Sequence, residues 1–271
     1  MKKFVVYGNP IKQSLSPVIH NDFALQANIK ISYEKQLSQP EIFKTDLASF
    51  FEQENAVGCN VTAPFKEQAY QFADQAFGTA KDAKAANTLH SINGHIEAHN
   101  TDGPGLVNDV TRLIGSISGS RILLLGAGGA ARGVMRTLLD QGVESLTIAN
   151  RTIAKANDLV SMADSNRIFA STLSELNDSF DIVINSTSAS LSGNALDLGG
   201  LKFNGTTLTY DMSYKAEQTP FLVSAQQQGS RMCADGLGML IGQAAVSFTI
   251  WTGFEPDTES LIKTLRQGML A

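Results

Sequence analysis

The sequence predicts an α/β fold in two domains, an N-terminal domain with a mainly parallel sheet and a second built around a nucleotide-type strand-turn-helix unit. Strand-like and helix-like stretches alternate over the first hundred residues, and alternation requires crossover connections between parallel strands. At Arg121 the texture changes to an apolar strand, a glycine-rich turn and an amphipathic helix, "RILLLGAGGAARGVMRTLLDQG". A length of 271 residues, 43% hydrophobic and 17% charged, suits one large core or two modest ones.

In the front half, "KFVVYG" is a short apolar run ended by glycine, and "SPVIHNDFALQAN" has helical spacing behind a Ser-Pro start. "ISYEKQL" alternates as a strand does, whereas "PEIFKTDLASFFEQE" is amphipathic at the helical period. "VGCNVT" predicts a strand and "PFKEQAYQFADQA" a helix opened by proline at its first turn. The Asn-Gly pair inside "ANTLHSINGHIEAHN", between two extended runs, signals a hairpin. In the back half, "SLTIAN" follows the glycine-rich unit as a second strand, "FDIVINSTSA" is a buried strand running into a polar loop, and "TLTYDMSY" is another strand. "DGLGMLIGQAAVSFTIWTGF" starts as a turn and continues as a long apolar helix expected to return to the first domain. The domains are therefore expected at 1–102 plus 237–271 and at 103–236, joined by two crossings that leave a ligand-binding cleft.

Composition excludes several classes. A formal charge of −5 and a pI near 5.4 provide no field for a phosphate backbone, and Lys and Arg form no dense run. Nucleic acid is not an expected partner. Cys59 and Cys233 are too few and too far apart for a disulfide framework or a metal cluster, which fits a reducing compartment. His20, His90, His95 and His99 lack metal-ligand spacing, so no metal is expected. The first apolar run ends at Gly8-Asn9-Pro10, too short for a signal-peptide core, and no later stretch is long and clean enough for a bilayer. A soluble cytoplasmic protein without membrane partners is the expectation.

The unit after Arg121 carries the first chemical signal. Gly126, Gly128 and Ala131 occupy the G-x-G-x-x-A positions of a dinucleotide-binding, Rossmann-type turn, and both the preceding strand and the second strand are in place. Gly126, Ala127, Gly128, Gly129 and Ala130 would let the backbone approach a pyrophosphate, with unpaired N–H groups and the positive end of the helix dipole beneath it. Where an NAD-binding chain usually carries an acid for the ribose hydroxyls, this one has Asn150-Arg151-Thr152, with Lys155 one helical turn later. A guanidinium can fork onto a 2′-phosphate that an acid would repel, so NADP is the expected cofactor.

A second signal is the string "NVTAPFK", where Lys66 follows a strand end, together with "HNTDG", where Asp102 stands at the expected domain junction. A lysine beside a carboxylate in a partly dry cleft makes a proton-transfer pair, the acid holding and orienting the ammonium. From spacing alone the plainer alternative, a surface lysine and a helix-capping aspartate, carries more weight, because "TDGPG" leads into a helical run.

Taken in order, "YGNPIKQSLSPVIHN", "GCNVTAPFKE", "ANTL", "HNTDGPG", "LLGAGGAARG", "ANRT", "NSTSA", "YDMSY" and "DGLGMLIGQAA" closely resemble the shikimate dehydrogenase family and its quinate-using relatives, from about residue 4 to residue 248. The resemblance implies NADPH-dependent reduction of 3-dehydroshikimate to shikimate, in the pathway to the aromatic amino acids, by a monomer or homodimer. It also implies that Lys66 and Asp102 are the catalytic lysine and aspartate. Ser14, Ser16, Thr62 and Tyr214 match positions that hold the substrate carboxylate. Asn87 and Gln243, together with Asp102, match positions that bind the ring hydroxyls. Met212 and Gly236 match positions beside the nicotinamide. Three departures stand out: Gln13 replaces a frequent histidine, no proline closely follows Tyr214, and Gly78 falls where the family has a side chain that touches cofactor. A quinate-oxidising, NAD-using relative is the alternative, against which "NRT" argues. A binding protein without chemistry is a second alternative, against which the presence of both Lys66 and Asp102 argues.

Overall fold

A computed structural model of the chain describes residues 1–187, 189, 198 and 200–270. They form two compact units, Met1–Gly105 with Ile241–Leu261, and Leu106–Leu240 with Ile262–Ala271. Among the described residues, no helix is long and apolar enough to cross a membrane.

The first unit contains β1 (Lys2–Gly8), α1 (Ser16–Gln26), β2 (Ile31–Leu37), α2 (Phe43–Phe51), β3 (Ala56–Val61) and α3 (Lys66–Phe72), followed by β4 (Gln75–Ala76), α4 (Thr79–Ala83), β5 (Thr88–Ile92) and β6 (His95–His99). The sheet order is β2-β1-β3-β5-β6-β4. β1 runs parallel to β2 and β3, and β4 parallel to β6, while β5 is antiparallel to both β3 and β6. The sheet is thus more mixed than alternation alone suggests. The reason is the hairpin: its strands must oppose each other, and Asn93 and Gly94 at φ 52° and 81° make the two-residue turn that joins them. The unbroken apolar run of β1 is explained by burial on both faces. Val5 and Tyr7 enter a core with Phe43, Leu47 and Phe65, whereas Phe4 and Val6 point to the opposite side with Tyr33 and Trp251.

The second unit continues α5 (Asp102–Ile114) into β7 (Arg121–Leu125), α6 (Gly129–Asp140), β8 (Ser145–Ala149), α7 (Ile153–Met162), β9 (Ile168–Ser171) and β10 (Ile182–Asn185). It then holds β11 (Leu208–Asp211), α8 (Pro220–Gln227), β12 (Cys233–Asp235), the start of α9 (Leu237–Thr252) and the end of α10 (Glu259–Leu270). Its six strands are all parallel, in the order β12-β11-β10-β7-β8-β9. That is the doubly wound dinucleotide order, which reverses direction between β7 and β10. Alternation again divides one strand between two cores: Ile122 and Leu124 face one cluster, Leu123 and Leu125 the other.

Several expectations change in detail. The helix after Pro64 is short, because Ala73 turns extended and Asp74 bonds to both backbone groups of Ile96, which leads the chain into β4. Residues 262–271, expected with the front domain, group with the second unit, where the Arg266 guanidinium pairs with Asp235 and donates to the Lys215 carbonyl. Ser188 of "NSTSA" lies outside the described residues.

Candidate active site

Lys66 is the first residue of α3, and the turn before it is tied down at three points. The Thr62 N–H donates to the Tyr7 carbonyl at 2.9 Å, so the chain stays paired past the end of β3. The Phe65 N–H closes back onto the Thr62 carbonyl at 3.0 Å, and the Phe65 ring is buried against Phe43 with centroids 4.5 Å apart. The Lys66 ammonium then lies 2.5 Å from Asp102 Oδ2, with the lysine side chain 26% exposed and the aspartate 10%. The lysine is therefore a paired, partly accessible group and not a free surface charge. Nor does Asp102 serve as the helix cap: α5 begins at this residue, and its N–H is taken by Asn100 Oδ1 at 3.2 Å, which leaves the carboxylate for other partners.

The second carboxylate oxygen accepts a hydrogen bond from Asn87 Nδ2 at 2.9 Å. Asn87 is buried, and its Oδ1 accepts the Thr101 N–H at 2.8 Å. A backbone N–H can only donate and a carboxylate only accept, so these two contacts fix which end of the amide faces Asp102. Gln243, on α9, brings its Oε1 to 3.1 Å from Asn87 Nδ2. Lys66, Asp102, Asn87 and Gln243 are thus assembled from α3, α5, the entry to β5 and α9. Ser14 and Ser16 pair with each other at the start of α1, Oγ to Oγ at 3.1 Å. Thr62 is exposed at the end of β3. Tyr214 belongs to the second unit, where burial first and the Asp235 charge second raise its phenol above the ordinary range. Chemically, the first unit presents a fixed ammonium with its counter-ion, two amides that both donate and accept, and a group of hydroxyls.

The second unit carries the cofactor signal. Gly126 sits at φ +101°, in the region that favours glycine, and a Cβ there would lie 2.8 Å from Ser186 Oγ and 2.9 Å from Thr187 Cγ2. Its N–H donates to the Ala149 carbonyl at 2.8 Å, which holds the ends of β7 and β8 side by side. Gly128 precedes α6 and Gly129 opens it; a Cβ on either would project into open space, the room a pyrophosphate needs above the helix N-terminus. No acid occupies the first turn of α6. Ala127 and Ala130 are partly buried around this turn, and Ala131 is fully buried beneath it. After β8, Asn150 Nδ2 donates to the Thr152 carbonyl at 2.9 Å, and Arg151, Thr152 and Lys155 are exposed. These residues fit a 2′-phosphorylated dinucleotide. Further along the same sheet, Gly236 packs so tightly that a Cβ would lie 2.1 Å from the Met212 carbonyl oxygen. Buried Asp211 shapes that segment by accepting from the Ser213 N–H at 3.0 Å and from Thr219 Oγ1 at 2.7 Å.

Comparison with known proteins gives a consistent result. The family described as "Shikimate dehydrogenase substrate binding domain" matches residues 6–89, "Shikimate / quinate 5-dehydrogenase" matches 109–192, and "Shikimate 5'-dehydrogenase C-terminal domain" matches 236–266. A curated relative from Psychromonas ingrahamii, "Shikimate dehydrogenase (NADP(+))", is 49% identical over 268 residues, covering 98% of each chain. This chain belongs to the shikimate dehydrogenase family. Among solved structures, an Ael1 enzyme from Pseudomonas putida matches with a TM-score of 0.93 at 39% identity, over 98% of both chains. Shikimate 5-dehydrogenase from Thermus thermophilus, solved in complex with NADP(H) and shikimate, matches with a TM-score of 0.86 at 29% identity, over 98% of this chain and 99% of that one.

The roles that the family resemblance implies do not account for everything packed under Asp102. Tyr33, Asn60, Thr88, Thr101 and Ser247 form a buried polar layer there, joined by side-chain hydrogen bonds. Thr88 and Thr101 stand inside the strings "ANTL" and "HNTDG", and Asn60 inside "GCNVT". A polar residue within an otherwise apolar strand is the available sequence signal.

Proposed function

We propose that this chain interconverts 3-dehydroshikimate and shikimate with NADP(H), using Lys66 as the proton donor and Asp102 as its anionic support. The observation that carries this reading is the 2.5 Å contact between Lys66 Nζ and Asp102, with the carboxylate held from behind by Asn87. When bound at the Gly126–Ala130 turn, NADPH supplies the hydride for the ketone carbon. Lys66 gives a proton to the ketone oxygen as negative charge develops on it, and takes that proton back in the oxidative direction. Asp102 keeps the ammonium aimed and compensates its charge. Asn87 and Gln243 suit ring hydroxyls, because an amide can donate and accept at once. Ser14, Ser16, Thr62 and Tyr214 donate to the substrate carboxylate. On the cofactor side, Arg151, with Asn150, Thr152 and Lys155 around it, would hold the 2′-phosphate of bound NADP(H). Met212 and Gly236 would stand beside the nicotinamide.

The test is the rise in reduced-nicotinamide absorbance with shikimate and NADP, set against quinate and against NAD. Turnover fastest with shikimate and NADP is the expected result. A preference for quinate with NAD would contradict it and point to the quinate-using branch of the family.

A further inference from the structure

The buried layer beneath Asp102 has a direction. The Tyr33 phenol donates to Asn60 Oδ1 at 2.6 Å, which leaves Asn60 Nδ2 facing the other way. That nitrogen lies 3.2 Å from Thr88 Oγ1 and 3.1 Å from Ser247 Oγ. The Thr88 hydroxyl donates in turn to Asn87 Oδ1 at 3.0 Å, and Asn87 Nδ2 donates to Asp102 Oδ1 at 2.9 Å. The two amides set the polarity, since Asn60 and Asn87 each receive on the carbonyl and pass on from the amide nitrogen; between them the Thr88 hydroxyl also meets Ser247 Oγ at 2.7 Å, where either oxygen can donate. Tyr33 remains a donor: burial first, and the Cys59 thiol second, hold its phenol well above its usual range, while the Ser16 hydroxyl acts the other way by bonding to it. Ser16 is itself paired with Ser14. A continuous line of hydrogen bonds therefore runs from the Tyr33 phenol to the carboxylate that grips Lys66. Thr88 and Ser247 are fully buried and Asn60 nearly so, which shuts out water that could replace a missing link.

We propose that Tyr33, Asn60 and Thr88 are positioning residues, a one-way hydrogen-bond chain that sets the Asn87 amide and through it the Asp102 carboxylate. This rests on the proposed role of Lys66 and Asp102. Asn87 Oδ1 is approached by the Thr101 N–H at 2.8 Å, the Thr88 hydroxyl at 3.0 Å and the Thr101 hydroxyl at 3.2 Å, and these contacts restrict rotation of the amide. Loss of the Thr88 hydroxyl takes a donor from Asn87 Oδ1 and one acceptor from Asn60 Nδ2, which is left with the Asn87 backbone carbonyl at 3.2 Å and Ser247 Oγ at 3.1 Å. The effect should appear in turnover and not in ground-state binding, because the aim of the lysine matters most when charge develops on the substrate oxygen.

The test compares Thr88→Val, which keeps the shape and loses the hydroxyl, with Thr88→Ser, which keeps the hydroxyl. Tyr33→Phe, which retains the ring stacked on His20, provides an independent break in the chain. Thr88→Val and Tyr33→Phe should each lower kcat roughly tenfold with KM for shikimate nearly unchanged, and Thr88→Ser should restore most of the loss. In an Asn87→Ala background the further loss from Thr88→Val should vanish, as expected for a residue that acts through Asn87. Wild-type kcat in Thr88→Val, a serine variant as poor as the valine, or additive losses in the double variant would each overturn the proposal. A crystal structure of Thr88→Val separates this failure from that of the functional reading, since it needs no turnover. A rotated or doubled Asn87 side chain supports the chain; a single unchanged one refutes it.

Discussion

Arg151 follows β8 with its guanidinium in solvent and no acid in the usual ribose-binding position. A forked contact to a 2′-phosphate is a charge-assisted hydrogen bond, so Arg151→Ala should cost about 1.5–3 kcal/mol of NADP affinity, roughly tenfold to a hundredfold or more. NAD affinity should barely change. Titration of the variant with both cofactors checks this, and equal losses would contradict a phosphate-specific role. At this scale the legible residues were those with a motif around them: Lys66, Asp102 and the Gly126–Ala130 turn. Spacing alone could not pair Lys66 with Asp102, because they lie 36 positions apart and meet only when α3 and α5 are both in place. The partnership of Tyr33, Asn60 and Ser247 was hidden for the same reason, since it joins β2, β3 and α9.

Elements differ in how much of themselves they write into the sequence. The β5–β6 hairpin announces itself through Asn93-Gly94, and β7 through an apolar run that both cores require. β4, with two residues, and β12, with three, are too short to carry a period, so neither could be read in advance. The segment from β11 to α9 makes a sharp prediction. A Cβ at Gly236 meets a backbone carbonyl at 2.1 Å, where no flexible side chain can yield. Gly236→Ala should therefore destabilise the second unit by about 1–3 kcal/mol and weaken NADP binding as the Met212 segment shifts. Chemical denaturation together with cofactor titration measures both. A variant with native stability and affinity would show that this loop is not held as described.

Across the whole molecule, the two-unit plan and the dinucleotide sheet followed from the strand-turn-helix order, whereas the placement of residues 262–271 did not, because one arginine side chain helps to anchor them. Burial also sets a pH limit on stability. His20 lies fully buried among Phe23, Tyr33, Phe248 and Trp251, and burial lowers its pKa from 6.5 to about 3, against a smaller opposing effect of Asn60. The unfolded chain therefore binds a proton that the folded one refuses between those values. Stability is complete above pH 6.5 and is lost as pH falls toward 3, by an amount on the order of 4 kcal/mol for this group. Urea unfolding at pH 7 and pH 5 should show a fall about 2 kcal/mol smaller in His20→Phe than in wild type; equal falls would remove His20 from the account. Proton transfer turns on the Lys66 ammonium, and steady-state kinetics of Lys66→Ala separates that role from substrate binding. The expected result is a loss in kcat of about a hundredfold to ten-thousandfold with KM for shikimate within a few-fold of wild type. A variant that kept its turnover and bound shikimate poorly would contradict it.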